Sequence, residues 1–570
     1  MSLFGTIQMG ANALQAMQIG LQVTGNNIAN ANTPGYVRQE VVYAPAPVQK
    51  LGSLILGLGV QVDGIIDKID RFVLDRLVGA RGERAGAEVR EGAYHEIESL
   101  INGLSGEVDL GSSLATFFNS IGEVLNDPTS AAARNLVIGQ GGTLASTFNN
   151  LASRAQTLRR EYNNQITASA EEINNLTERI RQLNIQIATV EGGGSSNSDA
   201  GGLRNARQVA IDRLAEIMGI TVAEQRNGAV NISVGGEFLV FEGQRREVEL
   251  ELSNGDGMTL STVRFTDTRS PIVSSTGKLA GLYAARDEVV GGFISGLNEL
   301  AGLLAFEFNK VYSQGQGTVG FERLTSTNGV ADAGVPLDAA GLSFTPVSGR
   351  FQLLVHNKSN DITKTHDILI DLNGIDHDTT LNDVAAALNA IEGISATITA
   401  SGRLELAVDA ANTEFAFAGD TSGFLAAMGL NTFFTGSTAN DIGVNSELKG
   451  LGNEAKFAAS SGGLGRDTDT GNAAKLFQLL EKPLDGAGGL TLPGVYDRLV
   501  NTITQGATVA KSVAEGFRVF EGTLDGQLQA VSGVSLDEEA VRLIMLQRIY
   551  QASARFIQAA AEMLDVLVNL

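Results

Sequence analysis

The chain contains no cysteine at all among its 570 residues. That excludes a disulfide framework, a thiolate nucleophile and any cysteine-ligated metal. In a protein that leaves the cell, the same absence avoids cross-linking in transit. Basic residues are scarce too: 41 Lys and Arg stand against 64 Asp and Glu, a net charge of −23. Neutralising nucleic-acid phosphates needs a clustered basic surface, and no Lys/Arg cluster occurs, so no nucleic-acid partner is expected. Such acidity reads first as ordinary solubility. No apolar run approaches the length of a membrane span, so no membrane partner is expected. The N-terminus lacks the basic region, continuous apolar core and cleavage site of a signal peptide. Export, if it occurs, is expected to use another route. The length allows roughly three to four domains.

Both ends carry the strongest pattern. Leu543, Leu546, Tyr550, Ser553, Ile557, Ala560, Leu564 and Leu567 follow one another at steps of three and four, the heptad rule of a coiled-coil seam. A second row, Ile549, Phe556, Met563 and Leu570, recurs every seventh residue beside it, so the apolar face is wider than one seam needs. Arg548, Gln551, Arg555, Gln558, Glu562 and Asp565 take the opposite side. Ser535 with Glu538 predicts a capping box, and Asp537, Glu538 and Glu539 suit the positive helix end. At the other terminus Leu3, Ile7, Gly10, Leu14, Met17, Leu21, Thr24, Ile28 and Ala31 alternate in the same way. Small residues there (Gly10, Ala11, Ala13, Ala16, Gly20) permit close backbone approach. Thr33-Pro34-Gly35-Tyr36 ends this helix as a type II turn, and Asn26, Asn27, Asn30 and Asn32 are placed to bond backbone groups or neighbouring chains.

Between the ends, the periodicity predicts extended chain from Val37 to Val48, a short hairpin before Ile69, and helices over Arg71–Leu104, Leu114–Leu125, Gly142–Val190 and Leu203–Met218. Gly192–Ser198 reads as a flexible loop. A β segment from Ile220 to Phe265 precedes a helix from Gly277 to Tyr312. Heptads then vanish, and short strands at Phe351–Val355, Ile368–Leu372, Ala396–Ile398 and Leu404–Val408 surround one helix, Leu381–Asn389. Gly429–Gly471 is poorly patterned. Helix resumes at Ala473–Leu480 and Val495–Leu528, and Val531-Ser532-Gly533 is a hinge. The expected fold is mixed and mainly α. A terminal coiled coil joins residues 1–36 to 535–570, a helical-bundle domain with β hairpins occupies 37–335 and 440–534, and a β-rich outer domain is inserted at 336–439.

Chemistry is weakly signalled. Gly315-Gln316-Gly317-Thr318-Val319-Gly320 matches the dinucleotide glycine pattern but follows a helix and opens none, so no phosphate cradle is expected. Thr276-Gly277-Lys278 lacks the Ser or Thr of a phosphate loop. His95-Glu96-Ile97-Glu98 begins like a zinc-protease helix, yet Ser99 stands where the second histidine belongs. His356, His366 and His377 lie among Asp361, Asp367, Asp371, Asp376 and Asp378, in a spacing that fits no familiar ligand set. No catalytic residue, cofactor site or metal site is expected.

The segment Asn26-Asn27-Ile28-Ala29-Asn30-Ala31-Asn32-Thr33-Pro34-Gly35-Tyr36 resembles the signature shared by rod, hook and hook-associated axial proteins of the bacterial flagellum. Val37-Arg38-Gln39, Tyr550-Gln551-Ala552-Ser553-Ala554-Arg555 and Glu562-Met563-Leu564-Asp565 are similar to the hook-associated members. So are Gly277–Leu282, Arg286-Asp287, Leu297–Leu300 and Phe308-Asn309. Asp371–Ile375 with Leu381–Ile391 resembles a small motif inserted in flagellins and hook proteins. The resemblance implies a structural subunit at the junction of hook and filament, assembling through its terminal helices and found outside the cell. The implied interface comprises Leu3, Ile7, Leu14, Met17, Leu21, Asn27, Ile28, Pro34, Gly35 and Tyr36 with Leu543, Leu546, Tyr550, Phe556, Ile557, Met563, Leu564 and Leu567. Implied partners are further copies of the chain in a ring, hook protein, a second junction protein (hook-associated protein 3), the flagellar type III export apparatus and a cytoplasmic export chaperone at the C-terminal helix. The heptads alone fit an intramolecular bundle equally well. A hook or rod subunit, a secreted adhesin with a β-rich outer domain, and an enzyme on an axial frame are the alternatives.

Overall fold

A computed structural model describes residues 3–51, 54–102, 109–192, 198–241, 243–255, 257–375 and 377–568. It is 54% helix and 19% strand, the mainly α fold with small sheets that the periodicity predicts. The chain divides into two compact units. The first takes residues 1–93, 160–286 and 507–570, and the second takes 94–159 and 287–506.

In the first unit, the N-terminal helix Leu3–Asn30 and the C-terminal helix Leu536–Val568 pack along each other. Strands Gln39–Pro45 and Val60–Asp67 pair antiparallel, with a bulge at Val42/Tyr43, and the hairpin Val48–Leu51/Leu54–Gly57 lies between them in sequence. Helix Gly201–Ile217 leads into a four-stranded antiparallel sheet, Thr221–Glu224, Val230–Val234, Glu237–Phe241 and Gln244–Arg245, followed by the two-stranded ribbon Val248–Gly255/Met258–Phe265. Val230, Ile232 and Val234 are buried, as their alternation predicts. The loop expected at Gly192–Ser198 falls largely outside the described residues.

In the second unit the stretch that looked unpatterned is core. Phe433 and Phe434, within the expected Gly429–Gly471 return segment, are buried against Phe117 and Phe308, and Phe433 also against Tyr312, with ring centroids 5.3–5.6 Å apart. No periodicity is needed there, because side-chain amides hold the backbone. Asn309 Oδ1 accepts from the backbone N–H of Phe433 (3.0 Å) and Phe434 (2.9 Å), and its Nδ2 donates to the Phe434 carbonyl (2.8 Å).

The β-rich part of this unit has two three-stranded sheets. One orders Ile362–Ile370, Gly349–Asn357 and Thr413–Ala418, and the other Arg323–Thr325, Leu404–Val408 and Ile394–Ile398. Their core includes Phe321, Leu324, Phe351, Leu381, Leu406 and Phe417. The strand Arg323–Thr325 and the core residues Phe321, Leu324 and Val330 precede residue 336, where the sequence placed the start of the insertion. That strand has only three residues, too few to show a period. Helix Leu381–Asn389 begins at a Thr380/Asp383 capping box.

One expectation is corrected outright. Among the described residues the helical run Lys278–Tyr312 is long and apolar enough to span a membrane. Asn298 and Glu299 divide its most apolar stretch, residues 289–306, into two shorter apolar runs. Its apolar residues are committed to protein cores: Leu279 and Leu282 are buried in the first unit, and Phe293, Leu297, Leu304 and Phe308 in the second. Residues 284–290 of this run are π-helix, a local widening that the 3.6-residue period does not reveal.

Candidate assembly interface

The terminal helices form an antiparallel pair. A Cβ built on Gly10 would come within 2.5 Å of Ile557 Cγ1, and one on Gly20 within 3.2 Å of Leu546 Cδ1, so these glycines set the close approach. Asn27 reaches Glu539 at the other end of the overlap. Leu546 (4% exposed) packs with Ala16 and Met17, against which Leu21, Tyr43, Val60 and Val62 close from the side. Ala560 is 1% exposed. Ile7, Leu14, Ile28, Leu543, Ile557 and Leu564 are half-buried. Leu3 and Leu567 lie in the helices, but their side chains, like all of Leu570, fall outside the described residues.

Tyr550, expected on the seam, is exposed instead, at 38%. The buried line runs through Leu546, Ala560 and the glycine contacts, and Tyr550 lies at its margin. Helices this close have no room for a phenol between them.

A polar knot closes one end of the pair. Asn27, 1% exposed, uses its whole amide. Its Oδ1 accepts from Tyr36 Oη (2.8 Å) and from the Gln39 N–H (3.0 Å), while Nδ2 donates to the Gln39 carbonyl (2.9 Å) and Glu539 Oε2 (3.2 Å). The Pro34-Gly35 turn brings Tyr36 there: Gly35 has φ +75° and Tyr36 N–H bonds to the Thr33 carbonyl (3.2 Å). Pro34 and Gly35 themselves stay exposed. Arg38 binds Glu539 (2.8 Å) and Glu538 (2.9 Å), and its backbone N–H bonds the Ser532 carbonyl (3.0 Å). Arg542 adds a contact to Glu40 (3.3 Å). The Ser535 capping box therefore forms only by half. Glu538 N–H points to Ser535 Oγ at 3.5 Å, while the Glu538 carboxylate is taken by Arg38.

Sequence reasoning read Glu538 and Glu539 only as charges at a helix end and did not pair them with Arg38. A signal was available, since no Asp, Glu, Lys or Arg precedes Arg38 in the chain. Glu539 is fully buried (0% exposed), and burial would penalise its charge without that partner. Burial lowers the Arg38 pKa, but the nearby Glu539 and Glu538 more than offset this and hold it above its usual value. Burial first, then the negative charges of Asp67 and Glu539, push the Tyr36 phenol up to about 12, so it remains a donor to Asn27.

Asp67 faces Gln39 across the strand pair (Nε2 to Oδ1, 3.3 Å). Burial, opposed by that hydrogen bond and reinforced by Asp199, raises its pKa to about 6. A carboxyl raised on folding favours the fold when protonated. Its contribution is therefore full below the unfolded value near 4 and is lost as pH rises through about 6. Asp67→Asn, which keeps the acceptor, is expected to remove this loss and stabilise the first unit at neutral pH by at most about 3 kcal/mol. Denaturant melts at pH 4 and 7 check it: the two proteins should diverge only at the higher pH.

Gln316 is buried and donates to the Phe417 carbonyl (2.7 Å), so protein occupies the glycine loop. His95 and Glu96 are exposed on helix Arg71–Asn102. Among the described residues the histidines disperse: His356 meets Thr363 (3.0 Å), His377 meets Asp383 (3.0 Å), and His366 lies opposite Leu353 in the strand ladder. Asp376 lies outside the described residues.

Three family models match the chain in order: "Flagella basal body rod protein" over residues 7–36, "Flagellar hook-associated protein FlgK helical domain" over 94–322, and "Flagellar basal body rod FlgEFG protein C-terminal" over 527–570. The chain is 27% identical to flagellar hook-associated protein 1 of Escherichia coli over 588 aligned residues, covering 100% of both. It is 24% identical to the protein of the same name from Bacillus subtilis, covering 100% of this chain and 98% of the other. Over its whole length the chain is similar to flagellar hook-associated protein 1. The two rod-protein matches fall on the paired terminal helices, and the helical-domain match ends at 322, one residue before strand Arg323–Thr325. A solved structure of the flagellar hook junction protein FlgK from Burkholderia pseudomallei is also similar, at 15% identity and TM-score 0.48, covering 80% of this chain and 100% of that one.

Proposed function

We propose that the chain is a structural subunit of the bacterial flagellum that joins hook to filament, outside the cell, and that it assembles with further copies of itself through the terminal helices. The observation that carries the assembly mechanism is a second apolar stripe on the C-terminal helix. Val541, Met545, Ile549, Ala552, Phe556, Ala559, Met563 and Val566 step by three and four like the inner seam, yet all are exposed. Met563 is 56% exposed and Val541 68%. A helix with two such seams suits a partner helix of the same kind on each. The second seam is assigned to another copy.

Hook protein on one side and hook-associated protein 3 on the other are the proposed unlike neighbours. The type III export apparatus and a cytoplasmic chaperone covering the outer stripe are proposed for the route outward. No catalytic step is assigned. A hook or rod subunit is the second reading, favoured by the two rod-protein matches at the ends. Electron microscopy of a deletion strain separates the two: bare hooks, with filament protein shed into the medium, are expected, and absence of hooks would favour the rod or hook subunit.

A further inference from the structure

The two stripes on the C-terminal helix pose a choice that apolar packing alone does not make. Met545, Ile549, Ala552, Phe556, Ala559, Met563 and Val566 each immediately precede a position of the inner seam. One residue is about 100° of rotation at 3.6 residues per turn. Turning the helix by that amount would lay the outer stripe on the N-terminal helix and expose the inner one. Both stripes are apolar, and both include small residues.

We infer that Arg38 and Arg542 are the positioning residues that fix the rotation of the C-terminal helix, and so decide which stripe remains free. Only one rotation gives Arg542 its Glu40 partner and Arg38 two full-length glutamates. With the observed face inward, Glu539 is fully buried on Asn27 and Arg38, Glu538 takes the other side of Arg38, and Arg542 meets Glu40. After a one-residue turn, Val541 would stand where Arg542 meets Glu40, while Arg38 would face Glu538 in the place of Glu539 and the shorter Asp537 in the place of Glu538. The buried Asn27 amide also bonds the Gln39 backbone and Tyr36, so it holds its place while the helix is being seated. A polar group that selects one arrangement among apolar alternatives is a known use of buried polarity in coiled coils. The inference rests on the proposed role of the outer stripe for its biological meaning, but the rotation itself is testable in the free chain.

Because the chain has no cysteine, introduced pairs report without background. In the full-length protein, Ala16→Cys with Leu546→Cys reads the observed rotation, and Ala16→Cys with Met545→Cys reads the alternative, both with a short bis-maleimide. With Arg38 and Arg542 intact, only the first pair should cross-link efficiently. In Arg38→Gln/Arg542→Gln the 545 product should rise about tenfold relative to the 546 product as the preference is lost. Helical content by circular dichroism should be unchanged. An unchanged product ratio overturns the inference. So does loss of both products with loss of helicity, which would mean that the arginines anchor the helix without orienting it. Neither result depends on whether the chain polymerises.

Discussion

Leu546→Asp is expected to open the pair of terminal helices while leaving the second unit folded. Leu546 is almost completely buried against Ala16 and Met17, with Tyr43 and Val60 packed on the same cluster. The N-terminal helix facing it carries no charged residue, so nothing there can pair with the new carboxylate. Lost packing plus an unpaired buried charge costs about 3–5 kcal/mol. Ile557→Asp should cost less, because Ile557 is only half-buried, and the order of the two variants is part of the prediction. Amide exchange on the purified protein provides the check. Protection should fall along Leu3–Asn30 and Leu536–Val568 and persist at Phe117, Phe308 and Phe433. Equal protection of the terminal helices in variant and parent would contradict the seam.

The second large effect should leave the fold alone. Met545 and Met563 are exposed on the outer stripe, so Met545→Glu/Met563→Glu should change the stability of the free chain by no more than about 0.5 kcal/mol per site. If a second copy covers these positions, each loses about 1.5–3 kcal/mol of apolar burial on assembly, and a buried carboxylate adds to the cost. Cells carrying only this variant should secrete the protein at the parental level and fail to swim. Normal swimming would mean that the stripe is not a contact, whatever else the chain does.

The contrast between these variants follows what sequence alone discloses. The terminal helices were legible because their heptads are long and each is punctuated, by Pro34-Gly35 at one end and by the acidic residues after Ser535 at the other. Local chemistry sufficed for the Pro34-Gly35 turn and for the Thr380 cap. The knot at Asn27 was legible only in part: Arg38 stands out as the first charged residue of the chain, but its partner Glu539 lies 501 positions away. Tyr550 was misplaced because a heptad gives the mean direction of a stripe, whereas the separation set by Gly10 and Gly20 decides which side chains fit beneath it. The segment around Phe433 and Phe434 escaped for a different reason. Its backbone is fixed by Asn309, Asn431 and Asn445 and by a ladder of only two residue pairs, Phe434 with Val444 and Thr435 with Gly443, so burial there leaves no period. The strand Arg323–Thr325 is defined only by its partner Leu404–Val408, some eighty residues later.

The most direct test of the account is electron cryomicroscopy of the intact junction between hook and filament, at a resolution that places side chains. The account predicts that Met545, Ile549, Phe556 and Met563 of each copy lie against the terminal helices of a neighbouring copy, with Arg38 still holding Glu538 and Glu539 within each chain. A junction in which that stripe faces water, and copies meet only through the β-rich part of the second unit, would contradict it.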